Sequence, residues 1–220
     1  MKSTSVRLLV AALLTGLAAS AQADFVYSTQ GVDFTYHDVD ADTFTLRIQH
    51  ALDATGSWAP ATNLGFLGFK GLGNLGGLTG VNVNVAPAPS ASVNWSYTLG
   101  ELTGSGCNSN ANSGGICLDA TPDLALTNDL LFTVDLVGSG IDLGTVTAPQ
   151  LKASFTVWQE ASGKVGTNGY KAAGFATTGD LLGQTLTSDV QDAGRLPEPA
   201  SLALAALALA GVAVARRRRV

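Results

Sequence analysis

Apolar side chains alternate with polar ones over much of residues 24–196, and this period of two constrains the fold more than any other feature. Successive side chains of a strand point to opposite faces, so alternation is typical of strands with one buried face. The clearest runs are Phe34–Tyr36, Phe44–Ile48, Val81–Val85, Val93–Leu99, Leu130–Val137 and Leu151–Trp158. Clusters of glycine, asparagine, serine and proline separate them, as turns require. The pattern therefore predicts an all-β fold.

The first two runs are expected to pair as a hairpin, because the Asp-rich stretch between them, 38–42, is typical of a turn. Several short strands in about 170 residues predict an antiparallel β-sandwich or a jelly-roll-like body. We expect one β-rich domain over residues 24–183 and a polar linker over 184–196. The glycine-rich segment 64–80 is expected to be a packed loop or a short irregular strand pair.

Residues 1–23 have the features of a secretory signal peptide. Two cations precede a short apolar run that is too short to span a membrane. Ala21 and Ala23 form the small-x-small pattern of a signal-peptidase site. This predicts export by the Sec machinery and a mature chain that begins at Asp24; an N-terminus that stays inserted in the membrane is the alternative.

The last segment has three parts in a fixed order. They are Pro197, Glu198 and Pro199; the uncharged run 200–215; and Arg216, Arg217, Arg218 and Arg219. Sixteen helical residues rise about 24 Å, and the snorkelling arginines extend this towards a hydrocarbon core of about 30 Å. The arginine block favours the cytoplasmic side. The run therefore predicts a single transmembrane helix at the C-terminus.

These three parts together resemble the PEP-CTERM sorting signal, the tail of exosortase substrates in exopolysaccharide-producing Gram-negative bacteria. The resemblance covers residues 197–220. It implies a membrane-anchored precursor that the transpeptidase exosortase cuts near the Pro-Glu-Pro, and a product released or attached at the cell surface. The same tail is called an ice-binding protein C-terminal motif, which says nothing about the body. An ordinary single-pass anchor with a basic stop is the alternative.

Residues 24–196 are strongly acidic, with sixteen carboxylates against six cations and a net charge of −10. Such a body repels nucleic acid and anionic membranes, and attracts divalent cations weakly. We therefore expect no nucleic-acid partner.

Cys107 and Cys117 flank a loop of small polar residues. In an exported protein this spacing predicts a disulfide. A metal site needs further ligands, and a redox site usually has Cys-x-x-Cys spacing, so both are weaker alternatives.

Asp38, Asp40 and Asp42 occupy alternate positions and are a weak calcium candidate, since calcium prefers carboxylate oxygens. Thr43 and Gln49 stand where an EF-hand loop has its glycine and glutamate. A solvated turn between strands is the simpler interpretation, so no metal site is predicted.

Trp58, Trp95 and Trp158 offer rings on which sugars stack. Trp95 shares the apolar register of its run, which favours a core position. Trp158 falls on the face opposite Phe155 and Val157, which predicts an exposed ring.

No catalytic residue is predicted. HExxH and GxSxG motifs are absent, and His37 and His50 fall near opposite ends of the expected hairpin. The GxGxxG match at 71–76 lacks a following helix, so no dinucleotide cofactor is expected. We predict a non-enzymatic exported protein of the cell surface or extracellular polysaccharide matrix, without cofactor. The alternatives are a carbohydrate- or calcium-binding adhesion module, with exopolysaccharide as partner, and a secreted hydrolase.

Overall fold

The computed structural model describes residues 24–109, 114–143, 146 and 148–188. Within these residues every named strand pairs antiparallel with its neighbours, and the only helices are the short 3-10 turns Ala51–Asp53 and Gly56–Trp58. The strands are β1 (Phe25–Thr29), β2 (Val32–Asp38), β3 (Thr43–Gln49), β4 (Asn63–Lys70), β5 (Leu78–Ala86), β6 (Asn94–Leu99), β7 (Glu101–Thr103), β8 (Gly106–Asn108), β9 (Gly115–Ala125), β10 (Asp129–Gly138), β11 (Gln150–Gln159), β12 (Gly174–Thr185) and β13 (Thr187–Ser188). The prediction of an all-β, antiparallel body is confirmed.

Two sheets enclose the core. Sheet A has the order β13-β1-β2-β3-β10-β5, and sheet B has the order β12-β11-β4-β9-β6. Aromatic rings from the two sheets pack against each other in this core. The ring centroids of Phe44 (β3) and Phe69 (β4) lie 4.8 Å apart, and those of Phe34 (β2) and Phe155 (β11) lie 6.4 Å apart. The inward residues of each strand are thus removed from water by the opposite sheet.

The β2–β3 hairpin forms where the alternation predicts it. β2 ends at Asp38, β3 begins at Thr43, and the register places Tyr36 opposite Leu46. The apolar residues of both runs are fully buried, whereas their polar neighbours point away from the core. The sequence prediction is correct here because each strand buries only one face.

The expectation of a loop or irregular strand pair over 64–80 is wrong. β4 is the central strand of sheet B, and β5 belongs to sheet A. Gly65 and Gly68 interrupt the alternation and conceal the strand. Glycine at 68 has a packing reason, because a Cβ there would lie 2.8 Å from the Cβ of Leu102. The GxGxxG stretch lies between the two strands and leads into β5, without a helix.

The small hairpin β7–β8 lies over the outer face of sheet B, the face directed away from sheet A. Leu102 packs on Gly68. Glu101 forms ion pairs with Lys70, at 2.7 Å, and with Lys152. Lys152 is only 8% exposed and donates to the Leu102 carbonyl at 3.0 Å. Burial, followed by the charge of Lys70, lowers the pKa of Lys152.

A disulfide between Cys107 of β8 and Cys117 of β9 adds a covalent tie to the same hairpin. The predicted disulfide is confirmed. The hairpin is therefore held on sheet B by a covalent bond, an ion-pair network and an apolar contact.

The sheets extend beyond residue 183, where the linker was expected to begin. Gln184 and Thr185 belong to β12, Leu186 is buried, and β13 pairs with β1. Residues 184–188 are therefore part of the folded body. Their polar side chains suggest a linker, but an edge strand tolerates polar residues equally well. The rest of the predicted linker lies outside the described residues.

Candidate functional site

The outer face of sheet B carries an exposed aromatic pair at the end opposite the β7–β8 hairpin. Trp158 of β11 and Phe175 of β12 are direct register partners, and their ring centroids lie 5.1 Å apart in an edge-to-face arrangement. Trp158 is 50% exposed, as predicted from its position opposite Phe155. Both strands are part of the sheet, so the two rings stand on a rigid base.

The indole of Trp158 is also fixed by a hydrogen bond. Its Nε1–H donates to the carboxylate of Glu160 at 2.9 Å. An exposed ring held by one edge contact and one hydrogen bond loses little rotamer freedom when something stacks on it. The arrangement thus presents an oriented aromatic surface to solvent.

Polar groups continue along the same face. Thr156 lies two residues before Trp158, and such residues point to the same side of a strand about 7 Å apart. Its hydroxyl donates to the carboxylate of Asp123, which comes from β9. Thr177, the register partner of Thr156, is exposed. We call Trp158, Phe175, Glu160, Thr177 and Asp123 the Trp158 face.

A second carboxylate lies near Asp123. Burial, followed by the charge of Asp123, raises the pKa of Asp119. Sequence spacing alone gave no reason to group these residues. Asp123 contacts Thr156 across a separation of 33 positions, which only the sheet brings together.

The other tryptophans do not join this face. Trp58 is buried in the core, 4.7 Å from the ring of Phe155. Trp95 is half-buried and meets Phe132 edge to face at 5.9 Å, in agreement with its expected core register. A platform made of all three tryptophans is therefore not formed.

The aspartates of the β2–β3 turn do not converge as a calcium site requires. Asp38 is only 5% exposed and accepts a hydrogen bond from the Tyr36 hydroxyl at 2.5 Å. Asp40 accepts the backbone N–H of Thr43 at 2.8 Å and that of Asp42 at 3.2 Å, so it caps the turn. Among the described residues, no group of three or more His, Cys, Asp or Glu side chains is placed to hold a metal ion.

Asp38 gives the body a testable pH dependence. Burial raises the pKa of Asp38, against smaller lowering effects of the Tyr36 hydroxyl and His37. Because the folded-state pKa is raised, Asp38 contributes most to the free energy of unfolding below its unfolded-state pKa of about 4, where its carboxyl is neutral. This contribution is lost as pH rises through the folded-state pKa. We expect Asp38→Asn to gain stability relative to the unmodified protein between pH 4 and pH 7, measured by urea unfolding.

A matched variant tests the cause. Burial, followed by the hydrogen bond to Asp38, raises the pKa of the Tyr36 phenol, which therefore stays protonated and donates. Tyr36→Phe removes that donor while keeping the ring, so it is expected to destabilise the protein most where Asp38 is ionised. If the free energy of unfolding changed with pH equally in Asp38→Asn and in the unmodified protein, the pH dependence would not come from Asp38.

The two histidines lie at separate places, as predicted. His37 Nδ1 is 2.7 Å from Asp24 Oδ1, and His50 Nε2 is 3.8 Å from Asp33 Oδ2. His50 has a left-handed backbone and follows the end of β3. A shared histidine site is therefore not formed.

The C-terminal segment of the chain matches a known sorting motif. The family model described as the PEP-CTERM protein-sorting motif matches residues 196–219. The chain carries a PEP-CTERM sorting motif. The motif supports a membrane-anchored precursor, processing by an exosortase and delivery to the surface. The signal-peptide residues Ala21 and Ala23 and the sorting residues 197–199 and 216–219 lie outside the described residues.

Other comparisons add little to the PEP-CTERM match. No curated protein matches the chain. A solved chain from work described as "pH-induced modulation of Streptococcus parasanguinis adhesion by Fap1 fimbriae" is 13% identical, and the alignment covers 77% of this chain and 90% of that one. Its TM-score is 0.33, which does not establish a common fold. In the described part of the chain, no helix has the length and apolar character to cross a membrane.

Proposed function

We propose that this chain is a non-enzymatic exported protein whose body, residues 24–188, is delivered by its PEP-CTERM tail to the cell surface or the extracellular polysaccharide matrix. The observation that carries the proposal is the sorting motif at 196–219, which follows the last strand of a folded β body after seven intervening residues. A sorting tail of this kind acts on a chain that has already been translocated, and the signal-peptide pattern at the other end provides for that step.

Two properties of the body support an extracytoplasmic site. The Cys107–Cys117 disulfide suits an oxidising compartment, since thiols are kept reduced in the cytoplasm. The net charge of −10 over residues 24–196 keeps the body soluble and away from anionic lipid once it is cut free.

The distance between body and tail favours processing close to the membrane. The last strand, β13, ends at Ser188, and the motif match begins at residue 196. The intervening residues span at most about 25 Å when fully extended. The precursor thus keeps its folded body near the membrane until the chain is cut.

Intact mass spectrometry of the protein from its native host, after separation of inner membrane, surface and medium, tests the proposal. We expect a product that begins at Asp24, ends near Pro197–Pro199 and lies outside the inner membrane. A triple alanine variant of Pro197, Glu198 and Pro199 should accumulate in the inner membrane with its tail intact.

Pro89→Ala is the matched control, because this exposed proline belongs to the Pro-x-Pro sequence before β6 and not to the tail. It should be processed normally. An unmodified protein that retains Arg216–Arg219 in the inner membrane would overturn the proposal and leave a tethered domain.

A further inference from the structure

The β11–β12 hairpin concentrates exposed apolar side chains. Val165 is 75% exposed, Tyr170 38% and Phe175 37%, and all three belong to this hairpin together with Trp158. The rings of Trp158 and Phe175 are in contact, so they form one continuous surface. Core packing does not explain this surface, because the inward face of β11 is occupied by Leu151, Ala153 and Phe155.

We propose that the Trp158 face binds a neutral polysaccharide, with one sugar ring stacked on the Trp158 indole. The proposal rests on the proposed function, because delivery to the surface is what brings the body into contact with polysaccharide. The C–H face of a pyranose is apolar and matches the face of an indole, whereas its hydroxyls require hydrogen-bond partners at the rim.

The rim has such partners. Glu160 holds the indole through one carboxylate oxygen, Oε1, and its other oxygen accepts hydroxyl donors. Thr177 is exposed and lies two residues from Phe175 on β12, opposite Thr156, whose hydroxyl donates to Asp123. An aromatic ring flanked by carboxylate and hydroxyl groups is suited to a ligand with one apolar face and many hydroxyls.

The negative charge of the body favours a neutral polysaccharide over an anionic one. The face includes Glu160 and Asp123, with Asp119 near Asp123. Lys164 and Lys171 lie in the connection between β11 and β12, but residues 24–196 as a whole carry a net charge of −10. Uronic-acid polymers and anionic lipid are repelled by such a surface. Two contacting rings are also a small area compared with the roughly 800 Å² per partner that a stable protein interface buries. A glycan chain needs only a short row of contacts.

The test uses the processed protein recovered from its host and two probes, β-1,4-linked glucohexaose and β-1,4-linked mannohexaose. Titration is followed by tryptophan fluorescence and by isothermal calorimetry. We expect binding of at least one probe and a loss of affinity of about tenfold or more in Trp158→Ala, because the stacking contact is removed. In Glu160→Gln the amide oxygen still accepts the indole N–H, but an NH2 donor replaces the second carboxylate oxygen at the rim, so we expect a loss of affinity that is smaller than in Trp158→Ala.

Leu131→Ala is the matched control, since Leu131 is an exposed apolar residue of sheet A. It should bind as the unmodified protein does, and all variants should melt at similar temperatures. Three results would overturn the assignment: no binding of either hexasaccharide, unchanged binding in Trp158→Ala, or tighter binding of polygalacturonate than of both probes. A dimer that Trp158→Ala dissociates would assign the face to self-association instead. These failures are distinct from a failure of tail processing, which the mass measurement reports separately.

Discussion

Replacing Phe34 by alanine is expected to lower the free energy of unfolding by about 3–5 kcal/mol. Phe34 of β2 is fully buried, and its ring meets both Trp58, at 6.1 Å, and Phe155, at 6.4 Å. Truncation removes apolar surface from a position where sheet A contacts sheet B, and rigid strands on both sides prevent the cavity from closing. Urea unfolding followed by circular dichroism measures the loss.

Thr35→Ala is the neighbouring control on the same strand. Thr35 points away from the core, and we expect its truncation to change the free energy of unfolding by less than about 1 kcal/mol. A similar small change for Phe34→Ala would mean that the two sheets do not share one core.

Replacing Cys107 and Cys117 together by serine is expected to lower the free energy of unfolding by roughly 2–3 kcal/mol. The bond closes a loop with a sequence separation of 10, which restricts the unfolded chain. The folded hairpin keeps its ties through Glu101 and Leu102, so we expect the β7–β8 pairing to survive in the variant. Thermal unfolding without reductant measures the change.

Two comparisons check the disulfide. Unmodified protein that is unfolded in reductant and refolded should match the double serine variant, whereas Ser109→Ala, an exposed neighbour of the crosslink, should melt normally. Equal stability of the oxidised protein and the double serine variant would show that the bond constrains nothing in the unfolded chain.

The sequence predicted best those strands that bury one face. β2, β3 and β10 were identified because their apolar residues alternate and only that face is buried. β11 was identified from the same alternation although both of its faces are buried over residues 151–156, and the exposure of Trp158 followed from the same rule. β4 was not predicted as a regular strand, because Gly65 and Gly68 break the alternation. Gly68 makes room for Leu102. The β7–β8 hairpin was not predicted either, because its position depends on the ion pairs of Glu101 with Lys70 and Lys152 on other strands.

The candidate face was predicted only in part. Trp158 was identified from its own strand, but its partner Phe175 belongs to the glycine- and threonine-rich β12, which has no alternating apolar pattern. The Thr156–Asp123 contact joins two sheet strands that are not consecutive in sequence. Pairing between strands is set by the whole sheet, so a single strand's pattern does not reveal it.

The pairing of β1 with both β2 and β13 means that sheet A is complete only when the last strand of the body is in place. Phe25 lies opposite Ser188, so the first and last strands of the body are neighbours. A chain that crosses the membrane N-terminus first presents β1 long before β13 arrives. During that interval the outer edge of β1 is an open template for pairing with other chains. The strand that covers this edge, β13, is separated from the sorting motif by only seven residues, so in a chain translocated in that direction sheet A is completed last, when nearly the whole chain has crossed.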